Sequence, residues 1–419
     1  MAYIQVIGGK QLKGEITIQG SKNAALPILA ATVLIDGVTK LKNCPKISDV
    51  FHMINILKSI GCKTYWEGSS LIVDGSTLNT STVPEDYVIK MRSSIIMMGA
   101  LLGRTNQVNI TYPGGCSIGA RPIDFHLEAF AKMNISLKEM DGLIFCSSPR
   151  IKGNEINLKF PSVGATENTI LAAVLASRET IINNAAKEPE IIELSMFLNQ
   201  AGAKISGFGT EQIKIKGVKK LNELSYTISS DRIVTGTYLA AVAGVGGEVV
   251  LRDTNCSSLP GVIEIFRQMG CDIICGNDYI SIKSDGKLLP IPYIKTQPYP
   301  GFPTDMQSQT MSVLMAASGT SRISEEIFEG RFKIVSELRK FGANIEIKNN
   351  LAIIHGGSLL KGTKVYATEL RGGASLVIGG LMAEGTTSIY NPEHIERGYE
   401  DICRDLRKVG ANIYMRKDS

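Results

Sequence analysis

The stretch KVGANIY, residues 408–414, holds a helix end and a strand start within seven residues. Lys408 and Val409 close the amphipathic run GYEDICRDLRKVG, whose apolar positions recur every three to four residues. Gly410 suits the left-handed backbone that ends a helix, and the residues after it alternate as a strand does. The same signature returns as SIGCKTY (59–65), KMNISLK (132–138), QAGAKIS (200–206), QMGCDII (268–274) and KFGANIE (340–346). Its turn residues are Gly61, Asn134, Gly202, Gly270, Gly342 and Gly410, spaced by 68 to 73 residues. The chain is therefore six copies of one unit of about 70 residues.

Each unit carries a second helix that is apolar nearly all round: NAALPILAATVL, RSSIIMMGALLG, ATENTILAAVLAS, RIVTGTYLAAVAG, MQSQTMSVLMAAS and GGASLVIGGLMA. Such a helix must be buried on every side, and its Ala, Gly and Ser content permits close helix-to-helix approach. The predicted fold class is α/β, with helices packed inside and sheets and amphipathic helices outside. Six units exceed one core of this kind, so we divide them three and three. The expected domains are residues 22–229, and 230–419 together with 1–21, where the strand YIQVIGG closes the second domain.

Composition narrows the function classes. In 419 residues, 44% are hydrophobic and 20% charged, and the net charge is +5 with no basic tract. That argues against nucleic acid as a partner and agrees with a small anionic ligand. The longest apolar runs fall short of a membrane span, and the start lacks the pattern of a signal peptide. A cytoplasmic protein with no membrane partner is expected. Its eight cysteines then read as reduced thiols. Cys271 and Cys275 have no histidine pair beside them, and the four histidines are scattered, so no metal and no cofactor is expected.

The first turns of the buried helices carry Lys22 and Asn23, Arg92, Thr166 and Glu167, Asp231 and Arg232, Asp305, and Arg371. Equivalent positions of equivalent units should converge on the cleft between the domains. A helix N-terminus already favours anions, so Lys22, Arg92 and Arg371 are cations at the wrong end of a dipole. A bound anion would repay that cost. Arg331 in FEGRFK and Arg397 in IERGYE sit in matching later loops of the fifth and sixth units. The set points to a ligand with more than one anionic group. Separately, YPGGCSIGARP (112–122) holds Cys116 on a glycine-rich loop beside Arg121, the pattern of a lid bearing a reactive thiol.

The motifs SKNAALPILAA, PGGCSIGARPIDFH, SVGATEN, NAAKEPEI, FPTDMQSQ, FEGRF, ELRGGASLVI and HIERGYE resemble, in order along the whole chain, those of the UDP-N-acetylglucosamine 1-carboxyvinyltransferases, the enolpyruvyl transferases of peptidoglycan synthesis. The loop cysteine separates that family from the 5-enolpyruvylshikimate-3-phosphate synthases. The resemblance implies two inside-out α/β barrels of three units each. It also implies transfer of the enolpyruvyl group of phosphoenolpyruvate to the 3-hydroxyl of UDP-N-acetylglucosamine, with release of phosphate and no cofactor. This is the first committed step towards peptidoglycan, and the family is inactivated by the epoxide fosfomycin.

By the same resemblance Cys116 is the proton donor and Asp305 the base for the sugar hydroxyl. Lys22, Arg121 and Arg397 cradle the phosphate, Arg331 and Arg371 clamp the carboxylate, and Asn23 contacts the reacting centre. Arg92, Arg121, Pro122, Ile123, Asp124, Ser162, Val163, Gly164 and Ile327 match nucleotide-sugar positions. Two positions depart from the family pattern. Phe160 stands where many members carry a lysine, with Lys159 next to it, and Glu369 replaces an aspartate. Whether Cys116 rests as thiol or thiolate stays open, because Arg121 favours the thiolate while proton donation needs the thiol. The alternatives are transfer to a shikimate phosphate, opposed by the nucleotide-sugar motifs, and a binding-only paralogue. Such a paralogue would have no need to keep Lys22, Cys116, Asp305 and Arg397 together.

Overall fold

The computed structural model describes residues 1–114, 118–119 and 122–417. These fall into two compact units. One comprises residues 20–114 and 122–229; the other comprises 1–19 and 230–417, and takes in Ile118 and Gly119.

All six turn residues of the repeated signature have positive φ: 98° at Gly61, 62° at Asn134, 103° at Gly202, 100° at Gly270, 95° at Gly342 and 99° at Gly410. Five of the six are glycine, which adopts this backbone without strain. Each turn ends an outer helix, as Gly202 does after Pro189–Gln200, and opens an edge or hairpin strand, as in Lys204–Ser206.

In the unit built on residues 20–229, the inner helices are Lys22–Ala31, Met97–Thr105 and Val163–Ala173, with Met97–Thr105 packed on both of the others and most extensively on Val163–Ala173. Small residues set their spacing. A Cβ on Gly99 or Gly103 would fall 2.3 or 2.5 Å from the backbone oxygens of Asn168 and Leu171. The predicted helix RSSIIMMGALLG starts differently, as a 3₁₀ turn over Arg92–Ile96. Ser94 Oγ contacts the carbonyls of Met91 and Val88 at 2.7 and 2.9 Å, and such local bonding competes with the helical ladder. Two four-stranded sheets and one three-stranded sheet surround these helices, and Leu224–Thr227 returns to pair in parallel with Val38–Lys42.

In the second unit the inner helices are Arg232–Val245, Gln307–Leu314 and Leu370–Met382. All eight residues of Gln307–Leu314 are buried, the polar ones included. Ser312 Oγ donates to the Ser375 carbonyl at 2.9 Å and Gln309 Nε2 to Thr237 Oγ1 at 3.3 Å, which offsets part of that cost. Each of the three sheets has four strands. Strand Ala2–Ile7 lies between Thr386–Tyr390 and Asn412–Lys417, antiparallel to both, and Leu12–Thr17 runs parallel to Gly247–Arg252.

One expectation fails. Cys256 and Cys275 form a disulfide with Cα atoms 5.8 Å apart, although all eight cysteines read as reduced from the sequence. Cys256 follows strand Gly247–Arg252, while Cys275 ends Asp272–Cys275, and both strands flank Tyr279–Ser284 in one sheet. The sheet brings together two residues 19 apart in the chain. The free cysteines among the described residues (Cys44, Cys62, Cys146, Cys271 and Cys403) are all buried. No helix among the described residues is long and apolar enough to cross a membrane. Nor do those residues contain a cluster of His, Cys, Asp or Glu suited to a metal ion.

Candidate active site

Each unit presents its own set of the expected residues. In the first, Ser21 caps Lys22–Ala31 by accepting from the Ala24 amide, which places Lys22 and Asn23 in the opening turn. Lys22 Nζ lies 3.0 Å from Asp49 Oδ2, whose side chain is 1% exposed. Asp49 thus offsets the cation at the unfavourable dipole end. The sequence reading missed it, because an aspartate near a helix start looks like an ordinary dipole partner.

In this unit the nucleotide-sugar candidates come from three helix starts; Ile327, the remaining one, lies in the second unit, in the loop after strand Thr320–Ser324. Arg92 Nη2 donates to the Pro122 carbonyl at 3.3 Å, so two separate motifs meet. Ile123 is buried and precedes helix Asp124–Lys132, leaving Asp124 exposed in its first turn. Ser162 caps Val163–Ala173 through the Ala165 amide at 3.3 Å, and Val163 and Gly164 form the first turn. Thr166, also in that helix, donates to the Ser162 carbonyl at 2.8 Å and accepts from the Ala186 amide at 3.1 Å. That second bond ties the NAAKEPE loop to the helix. Phe160 is exposed, and Lys159 pairs with Glu128 at 2.8 Å. Cys116 and Arg121 lie outside the described residues.

In the second unit Asp305 sits in the short 3₁₀ turn Thr304–Met306 ahead of an inner helix. Its carboxylate accepts from Arg331 Nη2 through Oδ1, and from Arg371 Nε and Nη2 through Oδ2 at 3.3 and 3.2 Å. The two arginine side chains are 2% and 3% exposed, so both cations are buried. Arg331 Nη1 also lies 3.5 Å from Glu369 Oε2. Glu369 caps Leu370–Met382, accepting from the Arg371 amide at 2.7 Å and from the Gly372 amide. The longer carboxylate at this position therefore serves the helix cap and Arg331 together.

Glu325 supports this cluster and was not singled out from the sequence. It is buried, accepts from Thr304 Oγ1 at 2.9 Å, and takes the amides of Ile327 and Phe328 at 2.9 and 3.0 Å. Thr304 in turn accepts from Arg331 Nε at 3.3 Å. Burial is the strongest single influence on Arg371 and lowers its pKa, but Asp305, with Tyr399 and Asp231 adding to it, outweighs burial and the value is raised. Arg371 Nη1 is buried without a close hydrogen bond among the described residues. Arg397 ends the turn Pro392–Arg397, half-buried, two residues before buried Tyr399. Tyr399 hydroxyl lies 2.7 Å from Thr237 Oγ1.

Over residues 6–406 the sequence matches the family described as EPSP synthase (3-phosphoshikimate 1-carboxyvinyltransferase). It is 48% identical to UDP-N-acetylglucosamine 1-carboxyvinyltransferase 2 of Caldanaerobacter subterraneus subsp. tengcongensis, over 99% of each chain. It is 45% identical to UDP-N-acetylglucosamine 1-carboxyvinyltransferase 1 of Legionella pneumophila, over 98% of this chain and 82% of that one. Among solved structures it is similar to the enolpyruvyl transferase NikO from Streptomyces tendae, with a TM-score of 0.90 at 21% identity, covering 100% and 99% of the two chains. EPSP synthase from Acinetobacter baumannii is similar with a TM-score of 0.76 at 19% identity, covering both chains in full. At these identities the two structures speak to the fold alone. The sequence matches go further: this chain belongs to the enolpyruvyl transferase family and, within it, to the UDP-N-acetylglucosamine 1-carboxyvinyltransferases.

Proposed function

We propose that the chain transfers the enolpyruvyl group of phosphoenolpyruvate to the 3-hydroxyl of UDP-N-acetylglucosamine, in the cytoplasm, as the first committed step towards peptidoglycan. A proton added to C3 of phosphoenolpyruvate makes C2 electrophilic. The sugar oxygen then bonds to C2 while its hydroxyl proton passes to a base, giving a tetrahedral ketal. Loss of a proton from the new methyl group and departure of phosphate restore the double bond. Cys116 supplies the first proton and Asp305 accepts the hydroxyl proton. Lys22, Arg121 and Arg397 hold the phosphate, and Arg331 and Arg371 take the carboxylate in the planar geometry that suits guanidinium.

The observation that carries this reading is the meeting of two buried guanidiniums on Asp305. Arg371 Nη1 is buried without a close hydrogen bond among the described residues, with the Tyr399 hydroxyl also acting on this guanidinium, and such a donor favours an incoming acceptor. A carboxylate brought there would lie beside the group assigned to the acceptor hydroxyl.

Phosphate release with both substrates, combined with fosfomycin labelling, tests the proposal. Cys116→Ala should abolish turnover and labelling. Cys116→Asp should keep turnover, shifted to lower pH because a carboxyl of reference pKa about 3.9 must be protonated to donate, and it should resist the epoxide. Competing labels are disfavoured. Burial pushes the thiols of Cys62 and Cys271 up to about 11, and those of Cys146 and Cys403 up to about 12. Full activity in the alanine variant, or labelling at another cysteine, would overturn the assignment.

A further inference from the structure

Two of the segments proposed to hold the nucleotide sugar, Pro122–Asp124 and Ser162–Gly164, lead into helices Asp124–Lys132 and Val163–Ala173. One side chain spans them. His126, in the first turn of the first helix, is 5% exposed, and its Nδ1 lies 2.7 Å from Asn168 Nδ2 on the second. Asn168 is fully buried. Its Oδ1 accepts from the Gly99 amide at 2.7 Å, and its Nδ2 also donates to the Ile95 carbonyl at 3.0 Å.

These contacts decide the chemistry of the imidazole. A backbone amide can only donate and a backbone carbonyl can only accept, so the Asn168 side chain has one orientation. Its NH₂ group faces His126, and Nδ1 must therefore accept. The ring is the neutral tautomer with its proton on Nε2. The other edge of the ring rests on Gly164. A Cβ added there would fall 3.1 Å from Cε1 and 3.3 Å from Nε2 of His126. Glycine at 164 leaves room for the ring across the second helix start.

We propose that His126 is the positioning residue of the nucleotide-sugar site, fixing the starts of both helices against each other through Asn168 and Gly164. The assignment rests on the reading that segments 122–124 and 162–164 hold UDP-N-acetylglucosamine. It adds a residue that acts through them.

Steady-state kinetics with each substrate varied in turn provide the test. His126→Ala should raise KM for UDP-N-acetylglucosamine about tenfold, while kcat and the KM for phosphoenolpyruvate stay within about twofold. His126→Asn, whose Oδ1 can stand near the position of Nδ1 and accept from Asn168, should recover most of that loss. Gly164→Ala should raise the same KM by a smaller factor, because the added methyl presses on the edge of the ring. If His126→Ala does not fold, His126→Leu, which keeps the volume but cannot accept from Asn168, is compared with His126→Asn in its place.

Equal rises in both KM values, or an asparagine variant no better than alanine, would overturn the proposal. Arg92→Ala, which removes a proposed sugar-site cation without touching His126, separates the two levels. If Arg92→Ala raises the sugar KM and His126→Ala does not, the role of His126 falls alone. If neither moves it, the site reading falls and takes the role with it.

Discussion

Two carboxylates, one in each unit, are held in opposite ways. Glu193 is buried and accepts the Ser229 amide at 2.7 Å and the Ser229 hydroxyl, with no cation in ion-pair reach among the described residues. Burial pushes its carboxyl above the usual range, and the Ser229 bonds pull it part of the way back. Asp305 is partly exposed and meets two buried guanidiniums. Hydrogen bonds suffice for the acid that ties down the chain end of its own unit. Burying two cations beside the other is expensive. On the proposed function, the difference separates an acid that serves structure from one that serves chemistry.

The largest effect should come from breaking the cationic side of that contrast. Arg371→Ala should lower kcat/KM for phosphoenolpyruvate at least a hundredfold, about 3 kcal/mol, since it leaves substrate charge poorly paired in a dry site. Phosphate-release kinetics measure it, and Glu193→Gln under the same conditions should stay within about twofold of the parent. Similar losses in both variants would erase the distinction.

A smaller effect should follow at Lys22, where the first unit holds an ion pair of its own. Asp49→Asn leaves Lys22 in place but removes the negative charge 3.0 Å from it that sets its position. We expect kcat/KM for phosphoenolpyruvate to fall about tenfold, with the sugar KM little changed. A variant as active as the parent would show Asp49 to be a structural acid of the Glu193 kind.

The smallest effect concerns Glu193 and depends on pH. Its folded carboxyl binds a proton more readily than the unfolded one, whose value is about 4.3. The stability of the neutral form is present below the unfolded value and is lost as pH rises through the folded one. Glu193→Gln can keep both Ser229 bonds without a charge. Its melting temperature should equal or exceed that of the parent at pH 8, with the gap closing by pH 4. A parent clearly more stable at pH 8 would mean that a cation reaches Glu193 in solution.

The positions that escaped sequence reading share one property: their partners are remote in the chain. Asp49 meets Lys22, Glu325 meets Thr304, and Asn168 meets both Gly99 and His126. Each looks ordinary in its own segment. The disulfide between Cys256 and Cys275 escaped for the same reason, because a sheet rather than a motif brings the thiols together.

The sequence by itself determined the six-fold repetition, the left-handed turn at each helix end and the burial of the inner helices. These are local or periodic properties: a glycine's freedom at φ near 100° and an apolar surface with no polar face are written into consecutive residues. It also placed Lys22, Arg92, Asp305 and Arg371 at matched helix starts, because the repeat supplies a ruler. Only the tertiary structure decided what those charges meet. Asp305 faces two arginines, Lys22 faces Asp49, and the His126 tautomer follows from an amide and a carbonyl on another helix. Ion pairs and hydrogen bonds act over about 3 Å in space, and nothing in a linear pattern reports which distant residues folding brings within that reach.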